Sequence, residues 1–338
     1  MMLYLNMVCK VTIGGMVLDH VTQFEISEGI AEMSNTAKIT IPVNYSVKNQ
    51  PGWTVLDYIG VGDVVKIEAG YYREGWKSTD TEFIGRVREI EADLPLVIHC
   101  DDETFDLRRN TNTKSYKNAT LKEVLTDIIK APLTFDCPDL TLGRFQTDSE
   151  SSFQVLQRIK NDYGLYSRLQ NGHLSVNLRD IVAGNDIKEV HRYVLNPTTA
   201  GPMDAYFVKK NELKFKRKED YKLHVKVSSM DLNGKKITVE VGNKDKGASE
   251  LKFTYPGKHT EKELRSIGES IYTKRCYNGY TGTITGFGLP RTHAGDALVI
   301  DDKVEKDRSG KYLIEKVVIA YNESNGYSRE NTLSYKIE

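Results

Sequence analysis

The two ends of this 338-residue chain read alike, and no other feature narrows the possible folds as much. Toward one end, Gly62-Asp63 leads into Val64-Val65-Lys66-Ile67. Toward the other, Gly295-Asp296 leads into Ala297-Leu298-Val299-Ile300. In each case a Gly-Asp turn opens a short apolar run suited to a buried strand. A charged connector follows, then an alternating stretch (83–90 and 312–319), then a closing strand (96–100 and 332–337). Gly-Asp turns and alternating strands occur in any β protein, so the short identity alone fits duplication and coincidence equally. The shared order of turn, strand, connector, strand and strand favours duplication.

The first hundred residues otherwise read as strand and turn. Residues 8–13, 21–27 and 37–43 alternate, Pro42 marks a strand end or sheet edge, and 49–52 is a loop. The middle differs. Thr120-Leu121-Lys122-Glu123 is a capping box, followed by an apolar helix face of Leu121, Val124, Leu125 and Ile128 that Pro132 ends. A second helix is expected after Asp148 and Ser149 as caps, with Glu150 in its first turn. Phe153, Val155, Leu156, Ile159 and Tyr163 form its apolar face, and Gly164 stops it. Gln170-Asn171-Gly172 then turns a hairpin between 165–169 and 173–178. After a linker at 196–202, strands return at 205–215, 221–228 and 237–241, with a turn at 231–234. Another capping box, Thr260 to Glu263, opens a helix carrying Leu264, Ile267 and Ile271. Strands at 279–287, 296–301, 311–321 and 328–337 close the chain. The expected fold is β-rich α+β. Two similar β-barrel-like domains, 1–100 and 201–338 with one inserted helix, flank an α/β middle region at 101–200.

Lys+Arg and Asp+Glu both number 47, a balance that gives no general pull toward nucleic acid or an anionic membrane. No signal-peptide pattern opens the chain, and no apolar run approaches the roughly 18 residues of a span, so a soluble protein made in the cytoplasm is expected. Cys9, Cys100, Cys137 and Cys276 are too scattered for a metal site and read as reduced thiols. None of the seven histidines stands in a close ligand pair, and no nucleophile elbow, phosphate loop or dinucleotide loop is present. No catalytic residue, cofactor or metal is therefore expected. Asp101-Asp102-Glu103 and Asp301-Asp302 could bind a cation or act as an acid/base pair, but solvated carboxylates are the commoner explanation. The basic run 209–218 alternates Leu213 and Phe215 with Lys214 and Lys216, as a half-exposed edge strand does.

The capped helix, Tyr163-Gly164-Leu165 and the Asn171-Gly172 hairpin, set between two similar β ends, resemble the late control protein D family. These are baseplate hub proteins of contractile phage tails, related to the opening domains of type VI secretion spike proteins. The resemblance runs from the first strands to 310–314 and 326–329. It implies two tube-forming domains per chain and a homotrimeric ring of six quasi-equivalent units. Such a ring joins a hexameric tail tube to a trimeric spike, with DNA crossing the lumen without sequence-specific contact. It places the protein in the virion tail. The chain ends at Glu338 without a needle or lysozyme domain, so a separate spike protein is expected. The residues implied at the subunit interface are Ile39, Ile41, Val65, Ile67, Leu298, Ile300, Val317 and Ile319. The alternative from a different class is a cell-wall hydrolase or carbohydrate-binding module using the paired acids.

Overall fold

The computed structural model describes residues 6–18, 21–42, 55–73, 76–91, 93, 95–177, 187, 189–196, 208–230, 236–245, 247–256 and 259–337. The expected loop at 49–52, the turn at 231–234 and most of the 196–202 linker lie outside them. The first end contains β1 (Met7–Ile13), β2 (Met16–Leu18), β3 (Gln23–Gly29), β4 (Thr36–Ile41), β5 (Val64–Arg73), β6 (Trp76–Glu91) and β7 (Leu96–Asp101). Then come α1 (Phe105–Arg109), β8 (Asn112–Thr120), α2 (Leu121–Ile128), β9 (Thr134–Asp136), β10 (Thr141–Glu150) and α3 (Ser152–Tyr163). The hairpin β11 (Tyr166–Gln170) and β12 (His173–Asn177) follows. The last part holds β13 (Val190–Leu195), β14 (Val208–Lys216), β15 (Leu223–Met230), β16 (Lys236–Gly242), β17 (Ser249–Pro256) and α4 (Glu261–Arg275). It closes with β18 (Gly279–Phe287), β19 (Ala297–Asp302), β20 (Gly310–Asn322) and β21 (Gly326–Lys336). This is the β-rich α+β fold expected.

Both ends contribute to one 13-stranded sheet, ordered β14-β18-β21-β20-β3-β4-β7-β6-β5-β1-β2, with β19 also on β20 and β13 on β19. Period-two alternation builds it: Cys9, Val11 and Ile13 of β1 are buried while Lys10 between them is exposed. The two ends share one continuous core, in which Ile39, Val65 and Ile98 belong to the same cluster as Leu298, Ile314 and Val317. The middle has its own core around Leu125, Leu156 and Leu174. A third cluster lies where α4 packs Leu264 and Ile271 onto β15 and β16, and Gly268 lets the helix approach Val241 more closely than a Cβ would allow.

The echo between the ends is a real correspondence of topology. Gly62 donates its N–H to the Val87 carbonyl (2.8 Å), and Val87 returns one to Asp63 (2.9 Å). In the other end Gly295 donates to Ile314 (2.9 Å), and Ile314 returns one to Asp296 (2.9 Å). Each aspartate closes its own turn, Asp63 accepting from the Gly60 N–H (2.8 Å) and Asp296 from the His293 N–H (2.7 Å). Gly62 and Gly295 have φ of +98° and +97°, a backbone that favours glycine at both places. Even a bulge is shared, between Val87 and Glu89 where β6 meets β7 and between Ile314 and Lys316 where β20 meets β21. Outward from there, β7 pairs β4 and β4 pairs β3, as β21 pairs β18 and β18 pairs β14. One pairing departs: β1 runs antiparallel to β5, whereas β13 runs parallel to β19.

Two sequence expectations are corrected. Aligning 83–90 with 312–319 sets Val87 against Lys316, but the hydrogen bonds equate Val87 with Ile314. The two-residue slip keeps every side chain on its face, so the apolar pattern cannot detect it. Helix α3 is capped by Ser151, which accepts from the Gln154 N–H in a full capping box, rather than by Asp148 or Ser149; Glu150 ends β10 instead of entering the helix. The other caps stand where expected, at Thr120, at Thr260 and at Gly164 with φ +68°.

Candidate subunit interface

The two ends of the sheet meet where β3 lies antiparallel to β20, from Gln23 opposite Asn322 to Gly29 opposite Lys316. The Ile30 N–H carries the ladder one step further, to the Glu315 carbonyl (3.0 Å). Ile26, Val317 and Ile319 are fully buried at this seam, and Phe24 stacks on Tyr321 with ring centres 5.2 Å apart. Lys316 reaches Glu32 at 3.0 Å, and His293 meets Glu28 at 3.1 Å. The Glu28 carboxylate is the larger reason the His293 imidazole is pulled above its ordinary value, against the opposing effect of burial.

Beside the seam lies a buried polar cluster that joins the two ends. Glu82 of β6 and Arg329 of β21 form an ion pair with no exposed side-chain surface. Arg329 also donates from Nε to the Gly288 carbonyl (2.8 Å) and from Nη1 to the Thr292 carbonyl (2.9 Å). The Tyr327 hydroxyl donates to Glu82, Arg291 Nε reaches the same carboxylate at 3.1 Å, and Arg291 Nη2 donates to the Ala69 carbonyl (3.0 Å). The Tyr71 hydroxyl donates to the Tyr327 carbonyl and accepts from the Gly288 N–H, both at 3.1 Å. Burial is the main reason the Tyr327 phenol is pushed far up. The charges are thus committed to structural partners, which is what burying them requires. Sequence reasoning missed this cluster. Its signal was the strand alternation that puts Tyr327, Arg329, Asn331 and Leu333 in one row, so that a charged residue shares the core-facing side.

The eight residues expected at the interface are enclosed within the single chain. Ile39, Ile41, Val65, Ile67, Leu298, Ile300, Val317 and Ile319 all have 0% exposure within the single chain. They fill the chain's own core, and a side chain without exposed surface cannot touch a second copy unless that core opens. What the sheet offers outward is backbone edge. Among the described residues strand β14 ends the sheet, with β18 as its strand neighbour, and its Leu213 N–H turns to the Asn211 side chain (3.0 Å). This confirms the basic run as an edge strand. Among the described residues a second open edge lies on β6, whose pairing with β5 ends at Arg86 opposite Val64 and whose turn contact ends at Val87.

The acidic clusters do not converge into a site. Asp101 is buried against Arg88 (3.3 Å) and Arg108 (2.5 Å). Asp102 accepts from the Asn35 N–H (2.7 Å) and the Thr104 N–H (3.0 Å), while burial pushes its carboxyl up. Glu103 holds the β11–β12 turn, accepting from the Asn171 and Gly172 N–H groups at 2.7 and 2.8 Å. Asp301 pairs with Arg192 and Lys303, and Asp302 accepts from the Tyr280 hydroxyl (2.6 Å) and the Val304 N–H (3.0 Å). Among the described residues no group of three or more His, Cys, Asp or Glu could hold a metal ion, and no helix is long and apolar enough to cross a membrane. The Cys100 thiol is pushed up to about 12 by burial first and by Asp101 second.

No family model matches the sequence, and no curated protein matches it. Solved structures do. A tail protein from Neisseria meningitidis superposes with a TM-score of 0.58 at 12% identity, over 97% of this chain and 96% of that one. A 43 kDa prophage tail protein from Shewanella oneidensis gives 0.57 at 14% identity, over 96% and 97%. An E. coli component of the type VI secretion system, described as structurally similar to the T4 bacteriophage tail proteins gp27 and gp5, gives 0.53 at 10% identity, over 97% and 77%. With its duplicated sheet and helical middle, the chain has the fold shared by these phage tail and type VI secretion proteins.

Proposed function

We propose that the protein is a structural hub of a phage tail or related contractile injection device, of the late control protein D type. Three copies close a ring that joins a hexameric tail tube on one side to a trimeric spike on the other. The observation that carries this reading is the duplication. A chain holding two equivalent sheet units, already paired through β3 and β20, presents two sixths of a ring. Three copies match a sixfold tube, while their true threefold symmetry matches a spike. The fold of the tail proteins supports a tail role, and the structural partners of Glu82, Arg329 and the acidic clusters support a non-enzymatic one. In this reading the units are approximately 1–100, the middle region 101–200, and 201–338. Strand β13 lies in the middle stretch but pairs with β19 of the last unit. The protein resides in the virion tail after assembly in the host cytoplasm, and DNA crosses the lumen without base-specific contact.

The test is mass by light scattering across concentration, with and without the cognate tube and spike proteins. A trimer in their presence is expected. A stable monomer or a twofold dimer with both partners present rules the hub out. Peptidoglycan hydrolysis that is lost in Asp101→Ala or Asp302→Ala would instead make the chain an enzyme.

A further inference from the structure

We infer that the joint between copies is a short antiparallel strand pair between β14 of one chain and the open end of β6 in the next. Its register sets Lys216 opposite Glu89, Phe215 opposite Ile90 and Lys214 opposite Glu91. This inference rests on the ring reading and specifies how the ring is held.

The register comes from the molecule's own seam. In the duplicated framework β14 stands where β3 stands, because β18 and β4 occupy the same place on β21 and β7. Likewise β6 stands where β20 stands, fixed by the matched bonds at Val87 and Ile314. Lys316, Val317 and Val318 of β20 therefore correspond to Glu89, Ile90 and Glu91 of β6. Gly29, Glu28 and Ser27 of β3 correspond to Lys216, Phe215 and Lys214 of β14. Within the chain, β20 and β3 are paired Lys316↔Gly29, Val317↔Glu28 and Val318↔Ser27. Applying the same pairing between copies gives the three contacts named above.

That register sets Lys214 opposite Glu91 and Phe215 opposite Ile90, and it brings Glu89 to Lys216, whose ammonium would turn toward it from the Arg275 carbonyl and the Tyr221 ring that hold it within its own chain. Glu89, Glu91 and Lys214 are exposed, while Ile90, Phe215 and Lys216 are partly covered. Ile90 packs at the margin of the shared core, so Phe215 of a second copy would extend that core sideways. Opposite charges directly across an antiparallel pair are favourable, and like charges there are not. A slip by one residue would set Phe215 against a glutamate and reverse the faces. The joint is head-to-tail, so each copy uses one edge on each side, as a closed ring requires. The bond from the Ile30 N–H to the Glu315 carbonyl also fixes the alternation. By it, the 216–89 and 214–91 pairs fall at non-hydrogen-bonded positions, where Cα atoms lie about 4.5 Å apart. That separation is within reach of a disulfide.

The experiment combines charge reversal with cross-linking, using full-length protein at high concentration and with cognate tube and spike. Glu89→Lys with Glu91→Lys should weaken self-association about tenfold or more, as should Lys214→Glu with Lys216→Glu. The fourfold variant carrying both reversals should recover it. In a Cys137→Ser background, Glu91→Cys with Lys214→Cys should give disulfide-linked dimers and trimers, while Glu91→Cys with Lys210→Cys should not. If rings form but neither reversal weakens them and the in-register cysteines link no faster than the control pair, this joint is wrong while the hub reading stands. If the wild type stays monomeric with both partners and the cysteine pair does not link, joint and hub reading fall together.

Discussion

The two ends of the sheet share a framework but not an arm. Strands β20 and β21 continue past the matched region through Ile319↔Arg329 to Asn322↔Gly326, whereas the pairing of β6 with β7 runs, among the described residues, to Glu91↔Val97. The longer arm reaches over β3 with Ile319 and Tyr321, and it brings Tyr327 and Arg329 onto Glu82. The shorter one leaves an edge with glutamates on it. The longer hairpin thus makes a buried joint within the chain, while the shorter one ends in exposed Glu89 and Glu91. Chain length in a hairpin separates the two, with the framework unchanged.

The largest effect should come from unpairing the charges of the buried joint. Arg329→Ala leaves Glu82 buried against Tyr327 and Arg291 alone, and should cost about 3–5 kcal/mol in urea unfolding. Replacing both Glu82 and Arg329 with Met should recover only part of that, because Arg291, the Tyr327 hydroxyl and the Gly288 and Thr292 carbonyls lose their partners. Exposed Glu89, whose nearest cation is Arg88 at 3.9 Å, should cost less than about 1 kcal/mol when changed to Ala. An equal loss at Glu82 and Glu89 would erase the distinction between the two hairpins.

Next is core truncation at the matched edges. Ile319→Ala, fully buried on β20 opposite Ile26 of β3, should lose about 2–5 kcal/mol. Half-covered Ile90→Ala should lose clearly less. The duplication itself is sharpened by Gly62→Ala and Gly295→Ala. At φ near +98° either alanine is strained by about 1–3 kcal/mol, and the two should agree within about 1 kcal/mol. Gly62→Ala should cost slightly more, because its Cβ would meet Arg109 at 3.3 Å whereas that of Gly295 meets Ile30 at 3.7 Å.

How much of this was legible beforehand follows from what each signal measures. The capping boxes at Thr120 and Thr260, Gly164 and the Asn171-Gly172 turn are local chemistry and legible directly, whereas the Ser151–Gln154 box is masked by Asp148 and Ser149 just before it, which have the same capping chemistry. The Gly-Asp echo survived because the turn needs both residue types, while the strand after it slipped by two because a period of two hides that slip. Strand β8 was overlooked because its sequence, Asn112 to Thr120, is mostly polar and exposed; β10 supplies its partner. The interface was sought among apolar strand residues. Those mark the inside of this chain, while the ends of β6 and β14 carry exposed glutamate and lysine.

The smallest effect concerns pH at the buried joint. With Glu28 raising the His293 pKa, the protonated pair stabilises the folded chain fully below the unfolded histidine value near 6.5. That contribution fades as pH rises through the higher folded value. Stability should therefore fall slightly between pH 6 and pH 8, by well under about 1 kcal/mol given the solvent exposure of His293. His293→Asn should flatten the slope.

The equivalence of the two ends around a ring is tested most directly by the stoichiometry of the assembled complex with cognate tube protein, weighed by native mass spectrometry. Three copies of this chain should be found against a tube layer of six. Two copies, or six, would contradict a ring in which each chain fills two equivalent places.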